Sequence, residues 1–288
     1  MLAVGIPAYR LPRDIISAEF ESLINCGVNI HTDFTIGKDI SLEQLKFEKG
    51  FDAVFISVGA HKSRKLGIEG EDLQGVMHGV DYLRRICLGE KINLGRKVVV
   101  VGGGNVAIDV ARTALRTGSS DIIILYRRTR NEMPASRAEI HHLEEEGVHI
   151  EFLAAPVKIF GKKGKVASVQ CQKMTLGECD SSGRCRPVAI SDAHFTIEAE
   201  SVIPAISQNV DHTADSTLAM KVTGNGTYVV DPLTLQTSVP WIFSGGDSVL
   251  GPQTAAKAVY QGKVAAESIK LYLEGKDLKK GRNVRILS

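Results

Sequence analysis

The sequence is poor in aromatic residues, in charge of one sign and in long apolar runs. Phe, Trp and Tyr make up 6% of its 288 residues, with a single Trp. They do not interleave with basic residues, which excludes the stacking platforms that single-stranded nucleic acid requires. The 35 Lys and Arg are matched by 33 Asp and Glu, a formal charge of +2. So small a surplus leaves no electrostatic footprint for nucleic acid or an anionic membrane surface. No apolar run reaches the roughly 18 residues of a membrane span, and the first residues lack a secretory-signal pattern. The expectation is a soluble, cytoplasmic chain.

Cysteine is also sparse, with five residues and no C-x-x-C pair. That excludes a ferredoxin-type cluster and a redox disulfide of the common spacing. Cys179 and Cys185 bracket Asp-Ser-Ser-Gly-Arg, a hairpin-like stretch. Two states stay open there, a disulfide or two thiols beside a turn. Cys26 and Cys87 read as small core hydrophobes. The histidines are scattered, and the adjacent His141 and His142 cannot form an i, i+4 metal pair. No metal site and no catalytic side chain is assigned.

What is present is 43% hydrophobic and 24% charged residues, enough for one large or two modest domains. The most informative segment is Val98-Val99-Val100-Val101-Gly102-Gly103-Gly104-Asn105-Val106-Ala107. Four β-branched residues predict a buried strand, and a helix is predicted over 105–117. The turn between them matches G-x-G-x-x-A through Gly102, Gly104 and Ala107. Such a turn aims backbone N–H groups and a helix N-terminus at a pyrophosphate. The alternative is a glycine-rich turn that binds nothing.

A second strand, predicted over 120–126, ends in Tyr126-Arg127-Arg128-Thr129-Arg130. An NAD site carries a carboxylate at that position for the ribose hydroxyl. Here guanidinium groups stand instead, suited to a ribose 2′-phosphate. NADPH is therefore the expected nucleotide, with the three guanidinium groups near the phosphate and Tyr126 placed to flank the adenine. The alternative is a solvated loop.

Elsewhere the periodicity predicts a helix over 13–26, with Ile15, Ile16, Phe20, Leu23 and Ile24 on one face, and a short strand over 28–31. Ser41 and Gln44 form a capping-box pattern ahead of a second helix. A strand over 51–58 closes at Gly59-Ala60, and Ala60 is a candidate cofactor contact. A helix is predicted around 82–85 and another over 135–146, followed by a strand over 148–153. Strands are predicted over 158–160, 166–174, 184–190, 194–199 and 201–206. The last predicted strand, 241–243, leads to Gly245-Gly246-Asp247 and a long helix over 254–272 whose alanines predict a tightly packed side. Asp247 and the helix start at Gln253, Thr254 and Ala255 suit a dinucleotide hydroxyl and the flavin C2 carbonyl. An Asx-turn with a helix cap is the alternative.

These segments together resemble the small (beta) subunit of NADPH-dependent glutamate synthase and its relatives, glutathione-reductase-like flavoproteins. The resemblance rests on VGIPAYRLPRD (4–14), VFISVGAHKSRKLGIEGED (54–72), VVVVGGGNVAIDVARTALRTG (98–118), YRRTRNEMPASRAE (126–139), VIPAISQNVD (202–211) and WIFSGGDSVLGPQTAAKAVYQGKVAA (241–266). It implies an α/β fold of two interleaved, three-layer Rossmann-like domains. A partial FAD-binding domain spans 1–94 and 235–288, and an inserted NAD(P)H-binding domain spans 95–234. It implies that Gly102, Gly103, Gly104, Asn105 and Val106 hold the NADPH pyrophosphate, and that Arg127 and Arg128 hold the 2′-phosphate. Asp247, Thr254 and Ala255 touch FAD, and 4–6 lie beside its ring. Asp109 and Glu139 are read as structural. Ser207 stands where relatives have Gly and fits the nicotinamide pocket only with a negative φ. The FAD fingerprint of the family is absent, so FAD is expected weakly bound or unbound in this chain alone, and the FAD domain is expected to be truncated at its N-terminus, as in an expressed fragment or from a misassigned start, with a truncated gene product and a chain completed by another polypeptide as the alternatives. The implied partners are dinucleotides, an electron-accepting iron–sulfur protein or large subunit, or a second copy. The rival class is a non-catalytic nucleotide-binding or assembly module.

Overall fold

The computed structural model describes residues 1–181, 183–215 and 217–282. They fall into two units, each discontinuous in sequence: 1–28 with 63–206, and 29–62 with the described residues from 207 on.

In the first unit the valine run forms β3 (Lys97–Val101), flanked by β4 (Asp121–Tyr126) and β9 (Ser201–Pro204), with β5 (His149–Phe152) outside β4. All pairs are parallel, with Val98 opposite both Ile122 and Ser201. A parallel sheet is covered on both faces, which is why the run is uninterrupted rather than alternating. Val98 and Val100 enter one core with α4 (Asn105–Arg116), α3 (Gly79–Cys87) and α5 (Arg137–Glu145). Val99 and Val101 point the opposite way, as strand geometry requires, into a second core. That core is closed by the antiparallel sheet β6 (Ala154–Lys162), β7 (Lys165–Cys179) and β8 (Cys185–Glu198), making three layers. β8 is one strand where two are predicted, because Asp192 at φ 55° lets the chain bulge and continue. At its far end Cys179 and Cys185 lie opposite each other in register and are joined by a disulfide. Of the two states left open, this is the one formed.

Residues 1–28 and 63–94, expected with the FAD-binding part, pack in this first unit. Val76 bridges to Val202, and Gly79 lies so close to α4 that an added Cβ would sit 3.1 Å from Val110 Cγ2. Arg10 chelates Asp109 through Nη1 at 2.9 and 2.8 Å. Burial nevertheless pushes the Asp109 carboxyl up to about 6, against the pull of Arg10. Arg112 bridges Glu139 and Glu146, each at 2.9 Å, and Arg116 adds a second cation on Glu146 at 2.8 Å. The Tyr9 ring lies under both guanidinium groups, 5.0 and 4.3 Å from its centroid. Asp109 and Glu139 thus serve to fasten α4 to α5 and to the N-terminal segment.

In α1 (Arg13–Asn25) the predicted apolar face forms but is not buried. Ile16 alone is buried, while Ile15, Phe20, Leu23 and Ile24 stay about half exposed, Phe20 at 48%. Periodicity marked an apolar face correctly but could not supply a surface to cover it.

The second unit is built on β1 (Val54–Ile56) parallel to β11 (Ile242–Ser244). Leu42, Ile56, Val210, Met220, Tyr228 and Ile242 form its core. α2 (Leu42–Phe47) carries the predicted capping box: Gln44 N–H donates to Ser41 Oγ at 3.1 Å, and Ser41 N–H to Gln44 Oε1 at 3.0 Å. The short strands β2 (Lys62–Ser63) and β10 (Gln208–Asn209) and the helices α6 (Asp247–Leu250) and α7 (Ala255–Leu273) complete the elements that position the site. Residues 207–234, expected in the inserted domain, pack with this unit. The predicted strand over 28–31 does not form, since no neighbouring strand pairs with it. α7 also departs from expectation. Ala255, Ala256 and Ala266 are exposed, Val259 is 59% exposed, and Ala265 and Ser268 are its buried residues.

The Glu146 carboxyl is held down to about 2, first by its hydrogen bond from Arg116 and against the opposing effect of burial. A depressed folded-state pKa stabilises above the unfolded value near 4.5 and loses that stabilisation as pH falls toward 2. Glu146→Gln is expected to lower stability by about 1–2 kcal/mol at pH 7. In urea titrations the gap from wild type should narrow progressively below pH 4.5. A gap that stays constant with pH would show that the carboxylate charge contributes nothing.

Candidate functional site

The glycine turn leaves β3 at Val101 and enters α4 at Asn105. Gly102 adopts φ 146°, and an added Cβ would lie 2.4 Å from the Ala205 carbonyl oxygen. Only glycine fits there. At Gly103 a Cβ would strike the Tyr126 ring at 2.5 Å. Gly104 is different: its φ of −93° suits any residue, and a Cβ there would meet nothing nearer than Pro134 Cγ at 3.8 Å. The space over Gly104 is open on the side where the helix begins.

The N–H groups around that opening are unsatisfied. Ala107 and Ile108 donate back to the Gly104 carbonyl at 2.9 and 3.2 Å. The N–H groups of Gly103, Gly104, Asn105 and Val106 have no acceptor among the described residues. Unpaired donors at a helix N-terminus form an anion site, reinforced by the helix dipole. Gly104, Asn105 and Val106 remain partly or fully exposed to receive a ligand, while Gly102 and Gly103 are buried and shape the turn.

β4 ends beside it. Tyr126 is buried in the first core, 5% exposed, and its hydroxyl donates to the Glu132 carbonyl at 2.6 Å. It supports Gly103 from below and is not available to an adenine, a correction to the sequence reading. The ring faces inward because residue 126 shares the side of the strand that carries Ile122 and Ile124. The three arginines that follow separate. Arg130 ion-pairs with Glu144 and lies over the Phe152 ring. Arg128 donates from Nε to the Cys185 carbonyl at 2.7 Å. Arg127 has no hydrogen bond or ion pair among the described residues. Its guanidinium is shifted toward the neutral form first by desolvation, then by Arg128 and Arg184, with a smaller effect of Arg64. Arg184 and Arg64 were not named by sequence reasoning. Their one local signal is an arginine beside the cysteine that closes a hairpin, and its relation to Arg127 exists only in three dimensions.

In the second unit Asp247 Oδ1 accepts from Gln253 N–H at 3.0 Å. Burial raises its carboxyl above the usual range despite that bond. Asp247 therefore caps the turn with one oxygen, and His61 acts on its charge. The N–H groups of Thr254 and Ala255 at the start of α7 likewise have no acceptor there. Gln253, Thr254 and Ala255 are all exposed. Ser207 lies outside the positive-φ region, so its side chain is accommodated without strain. Ala60 is completely buried and offers no surface to a ligand.

The family model for pyridine nucleotide-disulphide oxidoreductase matches residues 13–262. The beta subunit of the NADP(+)-dependent formate dehydrogenase of Moorella thermoacetica is 46% identical over 277 residues, covering 95% of this chain and 39% of that protein. The glutamate synthase [NADPH] small chain of Azospirillum brasilense is 34% identical over 291 residues, covering 96% of this chain and 60% of that one. This chain thus spans between two fifths and three fifths of these relatives. Among solved structures, FprA of Mycobacterium tuberculosis in complex with NADPH superposes with a TM-score of 0.78 at 18% identity, over 95% of this chain and 75% of FprA. The fold is therefore the two-domain, Rossmann-like dinucleotide-binding architecture.

Gly102 and Gly104 separate folding from binding. Gly104→Val should leave stability within about 0.5 kcal/mol of wild type, while its side chain occupies the open cradle and weakens dinucleotide binding at least about tenfold. Gly102→Ala should instead lower the melting temperature, since its Cβ meets a backbone carbonyl. Calorimetric titration and thermal melts of both variants decide this. Unchanged affinity in Gly104→Val would remove the cradle from the nucleotide site.

Proposed function

The chain belongs to the pyridine nucleotide-disulphide oxidoreductase family, and from that premise we propose that it is the nucleotide-handling part of an NADPH-dependent electron-transfer flavoprotein. The observation that carries this reading is the row of N–H groups from Gly103 to Val106, together with Arg127, that have no partner among the described residues. A dinucleotide pyrophosphate satisfies the first and a 2′-phosphate the second.

In this reading the first unit binds NADPH and the second contributes to a flavin site. The turn N–H groups hold the pyrophosphate, and Arg127, with the remaining donors of Arg128, holds the 2′-phosphate. Asp247 accepts a hydroxyl of FAD, and the N–H groups of Thr254 and Ala255 offset negative charge at the flavin C2 carbonyl. When bound, NADPH supplies a hydride and FAD accepts it and passes electrons onward. The protein's own contribution is orientation and fixed positive potential, with no side-chain acid, base or nucleophile required. The acceptor is an iron–sulfur protein or a larger subunit.

A second reading has its own support. The apolar face of α1 is half exposed, and β1 has β11 as its one strand partner among the described residues. Unpaired edges and uncovered apolar surface invite another polypeptide segment. In that reading the flavin site is completed by a partner chain, and this chain alone binds nucleotide without turnover.

Equilibrium dialysis with FAD separates the two. The chain alone is expected to bind FAD weakly and to purify colourless, because no second glycine-rich strand–turn–helix supplies a pyrophosphate site among its described residues. Submicromolar binding, or a yellow protein bleached by NADPH, would overturn that expectation.

Nucleotide choice is tested by Arg127→Ala. A charge-assisted hydrogen bond contributes about 1.5–3 kcal/mol. NADPH affinity should therefore fall roughly 10- to 150-fold, with NADH affinity unchanged and a steeper salt dependence for NADPH in wild type. Equal affinity of wild type for both nucleotides would show the arginines to be a solvated loop.

A further inference from the structure

Arg128 and Arg184 line one open pocket together with Arg186, Glu178, Cys179 and Asp180. Arg184 reaches it from the turn between β7 and β8, and that turn is closed three times over. Asp180 N–H donates to the Arg184 carbonyl at 3.1 Å. Arg184 N–H donates to Asp180 Oδ1 at 3.1 Å, so this carboxylate oxygen is engaged by backbone. The Cys179–Cys185 disulfide lies immediately behind. The hairpin is then tied to the end of β4 by the Arg128 Nε bond to the Cys185 carbonyl. Arg127, the next residue, feels Arg184 as one of the cations around it. Glu178 is exposed on the rim and pairs with none of them among the described residues. Arg128, Arg184 and Arg186 are gathered here with Glu178 and Asp180, yet none of the three guanidinium groups forms an ion pair among the described residues. Their mutual repulsion is relieved by a dianion.

We propose that Arg184, presented by the disulfide-closed hairpin, is a third ligand of the adenosine 2′-phosphate beside Arg127 and Arg128, and that a dithiol reductant lowers NADPH affinity by opening Cys179–Cys185. This inference rests on the NADPH reading above. The reductant's thiolate attacks one cysteine sulfur, breaking the S–S bond and forming a mixed disulfide, and its second thiol resolves that intermediate. Cys179 and Cys185 each end as a thiol, having gained two electrons and two protons together, and the dithiol ends as a disulfide. The freed turn then holds Arg184 less firmly, and ordering it on binding opposes NADPH affinity.

The test is calorimetric titration of NADPH and NADH into the full chain, with and without dithiothreitol. The variants are Arg127→Ala, Arg184→Ala and Cys179→Ser with Cys185→Ser. Arg184→Ala is expected to weaken NADPH about tenfold and leave NADH unchanged, the NADH value reporting that the fold is intact. Dithiothreitol should weaken NADPH severalfold in wild type and have no effect on the double serine variant, which should already sit at the reduced wild-type affinity. If Arg127→Ala weakens NADPH and Arg184→Ala does not, the 2′-phosphate site stands and the role of Arg184 falls. If neither does, the NADPH reading itself falls. Thiol titration of the unfolded, unreduced protein should return three thiols, from Cys26, Cys87 and Cys171, and five after reduction. Five before reduction, or no response of wild type to dithiothreitol, would overturn the redox half.

Discussion

Three backbone hydrogen bonds converge on residues 101–103 and hold the candidate site in shape. The Val101 carbonyl accepts from Ala205 N–H at 2.8 Å, and Gly102 N–H donates to the Leu125 carbonyl at 3.0 Å. The Gly103 carbonyl accepts from Ala135 N–H at 3.2 Å. They tie the end of β3 to the segment after β9, to β4 and to the approach to α5. Approaches this close leave no room for a side chain at Gly102 or Gly103. The same bonds use the turn's inward-facing groups and leave the outward N–H groups unpaired, so the constraint that builds the fold also creates the anion cradle.

Charge is sorted around this turn. Arg10, Arg112 and Arg116 are neutralised by Asp109, Glu139 and Glu146, and Arg130 by Glu144. Paired in this way they fasten α4 and α5 and add little field at the cradle. Arg127, Arg128 and Arg184 form no ion pair among the described residues. The distinction between fastening and binding arginines is one of partners, since all carry the same group. The family's electron-transfer chemistry resides in its cofactors, so a protein of this kind acts mainly through where it leaves donors and cations unpaired.

Much of the first unit was legible in the sequence. The valine run, the glycine spacing and the apolar helix behind them specify β3, the turn and α4 to within a residue, because each is decided by neighbours in sequence. The capping box at Ser41 was legible for the same reason. Tyr126 was misread because its place beside the arginines suggested the ligand, whereas strand alternation put it in the core. The apolar face of α1 was read correctly and that of α7 was read as a packed side, because periodicity reports amphipathicity and is silent on what lies opposite. Residues 28–31 have strand-like composition, yet a strand requires a partner that composition cannot supply.

By itself the sequence determined the local chemistry: a glycine turn able to receive a pyrophosphate, arginines where a ribose carboxylate would stand, and motif order enough to mark the family. Only the tertiary structure decided which arginines are free. Arg130 is withdrawn by Glu144, Arg128 is half engaged by Cys185, and Arg184 is brought in by a hairpin remote in the chain. The same holds for Cys179 and Cys185, whose pairing depends on β7 and β8 meeting in a register that places them opposite each other. Hydrogen bonds, ion pairs and disulfides join residues by distance in space. The sequence states only distance along the chain, so it determined the groups and left their pairing to the fold.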